Sequence, residues 1–236
     1  MSDRIINILA EGFGKIMLAS IQVTIPLTII GFTLAMIIAI AMAMIQYAKV
    51  PVFTQFARFY IWIFRGTPLL VQLFLAYYGL PKVGIVLDSF VCAVIVFSLN
   101  EGAYCAETMR SALEAVPAGQ LEAGYCVGMN YFKIMQKIVL PQAFRTAFPP
   151  LSNSLIAMLK DTSLVAEITV ADMFMAAQKI VGRTYEPLWL YIEVALVYLF
   201  FSTILTILQK HFEKKLSAYN SRETIIKDAG SARGRL

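Results

Sequence analysis

Apolar residues recur along this chain in long blocks, separated by short polar connections. Residues 16–48 include no charged side chain, a run of 33. About 20 apolar residues are enough for a helix to cross the hydrocarbon core of a bilayer. Residues 59–81 form a second block broken only by Arg65, and a third, residues 88–108, contains Glu101 and Glu107. The fourth, residues 150–177, carries Lys160 and Asp161 at its middle, and the fifth, residues 188–208, is uncharged except for Glu193. The pattern predicts an all-α integral membrane protein with five transmembrane helices. The length of the first block, and the lack of a small-x-small cleavage site after it, set it apart from a cleaved signal peptide.

The longest connection, residues 111–148, holds Glu114, Glu122, Lys133, Lys137 and Arg145 and is too polar to cross a membrane. Pro117 and Pro141 bracket a stretch of good helix formers with apolar residues at Leu121, Met129, Phe132, Met135 and Ile138. By spacing alone this stretch is an amphipathic helix, whether it lies on the membrane or against a partner. The basic residues choose an orientation. With the N-terminus outside, thirteen of the 20 Lys and Arg fall inside, five outside, and Arg65 and Lys160 within spans. The positive-inside rule therefore predicts N-out and C-in, with residues 111–148 facing the cytoplasm.

Composition supports a membrane assignment. Hydrophobic residues make up 59% of the 236 and charged residues 15%, against about 25% charged in soluble domains. The net charge of +5 does not point to nucleic acid, because the basic residues lie in loops and the tail, where they report orientation and the anionic inner leaflet. Cys92, Cys105 and Cys126 follow no CxxC spacing and read as small packing residues. The single His211 stands among Lys210, Lys214 and Lys215. No metal or catalytic set is indicated. The organisation is an extracytoplasmic segment over residues 1–15, a membrane domain over 16–212 and a cytoplasmic tail over 213–236.

The cytoplasmic segment reads Glu122-Ala123-Gly124, then Gly128, then Ile138-Val139-Leu140-Pro141. In type and spacing it resembles the EAA loop of ABC importer permeases, with Gly124 where the third position is usually alanine. The lost methyl and lower helix propensity predict slightly looser local packing at Gly124. The resemblance implies that this loop seats in a groove of an ATPase subunit, with Ala123, Gly124 and Gly128 allowing close approach and Glu122 offering a charge. Phe64-Arg65-Gly66-Thr67-Pro68-Leu69-Leu70-Val71-Gln72-Leu73-Phe74 is similar to a signature of polar amino acid uptake permeases. Ala103-Tyr104-Cys105-Ala106-Glu107-Thr108-Met109-Arg110, Leu140-Pro141-Gln142-Ala143 and Lys160-Asp161-Thr162-Ser163-Leu164 extend it across residues 20–212. Within that family, residues 149–154 and 160–164, with Gln178 and Arg183-Thr184, look most like L-cystine permeases.

No GxxxxGK[ST] phosphate loop occurs, so the chain itself is not expected to hydrolyse ATP. The resemblance implies partners: an ABC ATPase dimer that binds ATP and Mg, an extracytoplasmic solute-binding protein, and a second permease, identical or homologous. It also implies a bacterial cytoplasmic (inner) membrane, with lipid around the spans. The chain needs no cofactor of its own.

Charges at bilayer depth are costly and usually face a cavity or a partner. Lys160 and Asp161, adjacent on a helix, point about 100° apart and do not neutralise each other. With Thr162 and Ser163 they either line the route of an amino acid substrate or make structural interhelical bonds. Glu107 stands three residues before Arg110, the spacing of a helix ion pair. Glu101 has no local partner and is a candidate for a substrate ammonium. Arg65, followed by Gly66-Thr67-Pro68, marks a helix interruption and either pairs with Glu101 or Glu107 or meets a ligand. The reading is an ATP-driven permease for a polar amino acid, with L-cystine first and other polar or basic amino acids as alternative cargo. The rival is an ATP-independent secondary carrier or channel, which has no use for an EAA-type loop.

Overall fold

The computed structural model describes the backbone of residues 3–233 and the side chains of residues 3–216, so the outer part of the expected tail lies outside the described side chains. Among the described residues ten α-helices run in order: α1 (Asp3–Ala19), α2 (Ile25–Tyr47), α3 (Pro51–Gly66), α4 (Leu69–Phe74), α5 (Ser89–Glu114), α6 (Ala118–Cys126), α7 (Tyr131–Ile134), α8 (Leu140–Asp161), α9 (Met173–Thr184) and α10 (Pro187–Arg233). Among the described residues, three helical segments are long and apolar enough to cross a membrane: Asp3–Tyr47, Ser89–Glu114 and Pro187–Leu216. The bent pair Pro51–Gly66 and Leu69–Val83 makes a fourth if it counts as one span.

The first apolar block belongs to a longer element than the sequence suggests. Helices α1 and α2 form a continuous 45-residue helix through a π-helical turn at Ser20–Thr24. Residues placed before the span by their polarity are thus helical, and they pack on α9 and α10. Gly12 makes that approach possible: a Cβ there would lie 2.6 Å from Glu193 Oε2 and 3.1 Å from Leu190 Cδ2.

The core is built on small residues. Gly31, Ala35, Ala39 and Ala43 repeat every four residues along α2 and are all buried, facing α5, where Ala93, Gly102, Ala103 and Ala106 are also buried. Between helices in lipid, association depends on close backbone approach rather than on escape from water, which favours such stripes. A Cβ on Gly102 would meet Ile38 Cγ2 at 3.1 Å, and one on Gly31 would meet Met158 Cε at 2.5 Å.

The second block is two helices meeting at a 103° bend. Thr67 is extended, at φ −122° and ψ 144°, as expected for a residue before proline. The bend is held by side chains: Gln72 Nε2 donates to Phe64 O (3.0 Å), Thr67 O (3.1 Å) and Thr67 Oγ1 (2.8 Å). Asn100 Nδ2 on α5 donates to Phe64 O (3.2 Å) and Gln72 Oε1 (3.0 Å).

The fourth block is not one helix. Helix α8 begins earlier than the block, at Leu140, and ends at Asp161. A 3-10 stretch (Thr162–Ile168) follows, and Thr169, at φ 67°, ends it. Asp172 then caps α9, its Oδ1 accepting from Met175 N at 2.8 Å. The last helix continues beyond the end of the fifth block.

Candidate functional site

The segment expected to act in coupling is a helical hairpin. Helix α6 ends in a turn where Gly128 takes φ +77°, a left-handed conformation that glycine adopts without a Cβ penalty. Met129 N donates back to Gly124 O at 3.0 Å, and Asn130 caps the next helix by accepting from Lys133 N at 2.9 Å. The chain then passes through α7 and a π-helical turn (Met135–Val139) into α8. What the sequence reads as one amphipathic stretch is therefore two helices, the second continuous with a helix of the bundle. Ile138 and Leu140 pack half-buried against the core, together with Leu121 and Met129.

Gly124 corrects an expectation. It is buried and faces inward, and a Cβ there would lie 2.7 Å from Ile134 Cγ1 and 2.9 Å from Cδ1. The missing methyl is the space that Ile134 fills, so packing at this point is tight rather than loose. Glu122, Ala123 and Gly128 are exposed, as are Tyr125, Val127 and Phe132, the last two 75% and 72% accessible. Partial burial, with Tyr47 and Tyr125 nearby, pushes the Tyr131 hydroxyl above its ordinary pKa, so it remains a neutral hydrogen-bonding group. The hairpin thus exposes apolar and aromatic residues together with the Glu122 carboxylate and the Lys133 ammonium.

The charged residues of the spans separate into two surfaces. Arg65 and Glu107 line one groove of ≈ 470 Å³ with Tyr104, Thr108, Thr146 and Ser154. The Arg65 guanidinium lies over the Tyr104 ring, 5.3 Å from its centroid. Glu107 pairs with Arg110, which also reaches Glu114 at 2.6 Å, so the helix ion pair read from the spacing is present. Glu101, half-buried, accepts from Cys105 Sγ at 3.5 Å. Lys160 and Ser163 line a different groove of ≈ 540 Å³, with Phe174, Tyr191 and Tyr198. Asp161 is exposed at the end of α8. Thr162 is fully buried, and its hydroxyl donates to Leu159 O at 2.7 Å. Of the four adjacent residues, Thr162 closes the helix and the other three reach its surface.

Three polar residues escaped the sequence reading. Gln72 and Asn100 hold the α3–α4 bend beside Arg65. The fully buried Asp172 joins the start of α9 to α10, with Tyr198 Oη donating to its Oδ2 at 3.4 Å. Gln72 stood inside the quoted signature, but nothing in its spacing marks it as a clamp.

Residues 31–218 match the family described as binding-protein-dependent transport system inner membrane component. The chain is 42% identical over 214 residues to the L-cystine transport system permease protein of Bacillus subtilis, covering 90% of this chain and 92% of that one. The crystal structure of an amino acid ABC transporter with histidines superposes with a TM-score of 0.76 at 33% identity, over 81% of this chain and 90% of that one. An inward-facing methionine ABC transporter shares the fold, with a TM-score of 0.68 at 14% identity over 92% and 99% of the two chains.

Proposed function

Because the chain belongs to the family of binding-protein-dependent transport system inner membrane components, we propose that it forms half of the passage of an amino acid importer carrying L-cystine across a bacterial cytoplasmic membrane. It is a permease subunit of an ABC importer for amino acids, and the ATPase is a separate subunit. The observation that carries the mechanism is the α6–α7 hairpin, which exposes Glu122, Tyr125, Val127 and Phe132 and whose second helix runs on into α8. A push on that surface is passed directly into the bundle. An ATPase dimer, holding ATP and Mg, supplies the push as it closes. A solute-binding protein delivers the substrate on the opposite side, and a second permease completes the passage.

The five crossings are the α1–α2 helix, the bent α3–α4 pair, α5, α8 and α10, with the N-terminus outside. Helix α8, at 22 residues, meets the length that a crossing needs. Along the route, Arg65 with Glu107 and Lys160 with Asp161 offer a cation and an anion to the carboxylate and ammonium of a zwitterion. Cystine as cargo rests on the likeness to the Bacillus subtilis permease.

The test is uptake of labelled cystine into proteoliposomes holding the permease, its ATPase and its binding protein. ATP-dependent accumulation is expected. Accumulation of arginine but not cystine moves the cargo to the basic amino acids. Uptake that proceeds without the ATPase would falsify the importer reading in favour of a self-contained carrier.

A further inference from the structure

The groove beside Lys160 has a second polar pole, supplied by α9 and α10. Tyr198 on α10 stands in its wall with Lys160 and Ser163, and among the described residues the lining does not include the neighbouring Asp161. Behind that wall, Tyr198 Oη donates to Asp172 Oδ2 at 3.4 Å. Asp172 is fully buried, and its other oxygen accepts from Met175 N at 2.8 Å. The hydroxyls of Thr162 and Ser163 adjoin Tyr198 Oη. That of Thr162 donates to Leu159 O at 2.7 Å, while Ser163 lines the groove itself. A tyrosine hydroxyl has one proton to give and lone pairs that accept. With its proton on Asp172, Tyr198 Oη offers the groove only an acceptor, whereas the Lys160 ammonium offers only donors.

On the reading that this groove lies on the route of an amino acid, we propose that Tyr198 is a specificity-determining residue whose oxygen accepts from the α-ammonium of the substrate while Lys160 takes the α-carboxylate. Asp172 is the positioning residue that draws the Tyr198 proton away from the groove. A donor and an acceptor side by side select an α-amino acid over a plain amine or a plain carboxylic acid, each of which leaves one pole unpaired. The rings of Phe174 and Tyr191, stacked at a centroid distance of 5.9 Å and inclined by 20°, line the same groove and suit a sulfur-bearing side chain.

The test measures binding of labelled L-cystine to the full chain with its ATPase in lipid nanodiscs. The competitors are dithiodipropionate, which is cystine without its ammonium groups, and cystamine, which is cystine without its carboxylates. The native complex is expected to prefer cystine to both. Tyr198→Phe keeps the ring and should weaken cystine about tenfold while leaving dithiodipropionate unchanged. Lys160→Met should weaken cystine and dithiodipropionate while leaving cystamine unchanged. Asp172→Asn still caps α9, but its amide can donate to Tyr198 Oη and so should also weaken cystine. Tyr198→Phe should then cost less in that background than in the native chain, and additive costs would remove Asp172 from the positioning role. If Tyr198→Phe weakens cystine and dithiodipropionate equally, or neither, the proposal is overturned, and the route reading stands as long as Lys160→Met shows its own loss. Normal cystine binding by Lys160→Met takes the groove off the route, and a native complex that binds no cystine overturns both.

Discussion

At Gly124 the side chain that is missing sets the packing of the coupling hairpin. A Cβ there would crowd Ile134 at 2.7 and 2.9 Å, and overpacked sites cost about 1–3 kcal/mol. Gly124→Ala is therefore expected to lower the thermal unfolding midpoint of the purified permease. Adding Ile134→Ala should cost less in that background than in the native chain, so a double-mutant cycle reads the coupling directly. Equal costs in both backgrounds would show that the two residues do not compete for space. The residues at the end of α8 carry a second expectation. Lys160 and Asp161 are exposed where Thr162 is buried, so Lys160→Met and Asp161→Asn should slow ATP-driven uptake at unchanged membrane levels. Transport kinetics indistinguishable from wild type in both variants would remove these residues from the route.

Proline positions organise the elements. The described residues contain π-helical turns at Ser20–Thr24, Leu75–Gly79 and Met135–Val139, and each is followed two residues later by a proline: Pro26, Pro81 and Pro141. Proline lacks an N–H and crowds the carbonyl four residues back, and at Pro26 and Pro141 the widened turn absorbs that conflict without ending the helix, whereas after Pro81 a short 3-10 stretch ends at Gly84. Pro149 and Pro150, by contrast, stay inside α8. Where the chain does break, at Thr67-Pro68, Gln72 and Asn100 bind the carbonyl of Phe64 that the bend frees. Gln72→Met removes that clamp, leaving buried polar groups unpaired at about 1–3 kcal/mol. The variant should unfold at lower temperature and lose uptake. Asn100→Ala added to it should cost less than in the native chain, because the two amides share the Phe64 carbonyl.

For the whole molecule, the question is how force from outside the bundle reaches the helices within it. The hairpin turn rests on Gly128 at φ +77°, a conformation that costs other residues about 1–2 kcal/mol. Gly128→Ala should leave the permease in the membrane but sharply reduce ATP-driven amino acid uptake, with loss of ATPase co-purification on a tagged permease. Retained uptake would place the ATPase contact elsewhere. The small-residue stripe along α2 faces α5 inside one chain, so the conformational change proposed to follow the push on the hairpin is expected to leave that pair rigid.

The sequence by itself determined the class. Long uncharged runs point to a bilayer, and the spacing from Glu122 through Gly128 to Pro141 singled out the segment proposed to meet the ATPase. Arg65-Gly66-Thr67-Pro68 announced a break, because a proline's backbone chemistry is local. Glu107 with Arg110 announced an ion pair, because their spacing fixes neighbours on a helix. Tertiary structure decided the rest. That α1 and α2 are one helix depends on packing against α9 and α10, which offsets the polarity of the first residues. That Gly124 faces Ile134, that Gln72 reaches Asn100, and that Thr162 is buried while Lys160 opens to a groove all depend on which helices lie side by side. Such contacts join residues far apart in the chain, and no local pattern records them.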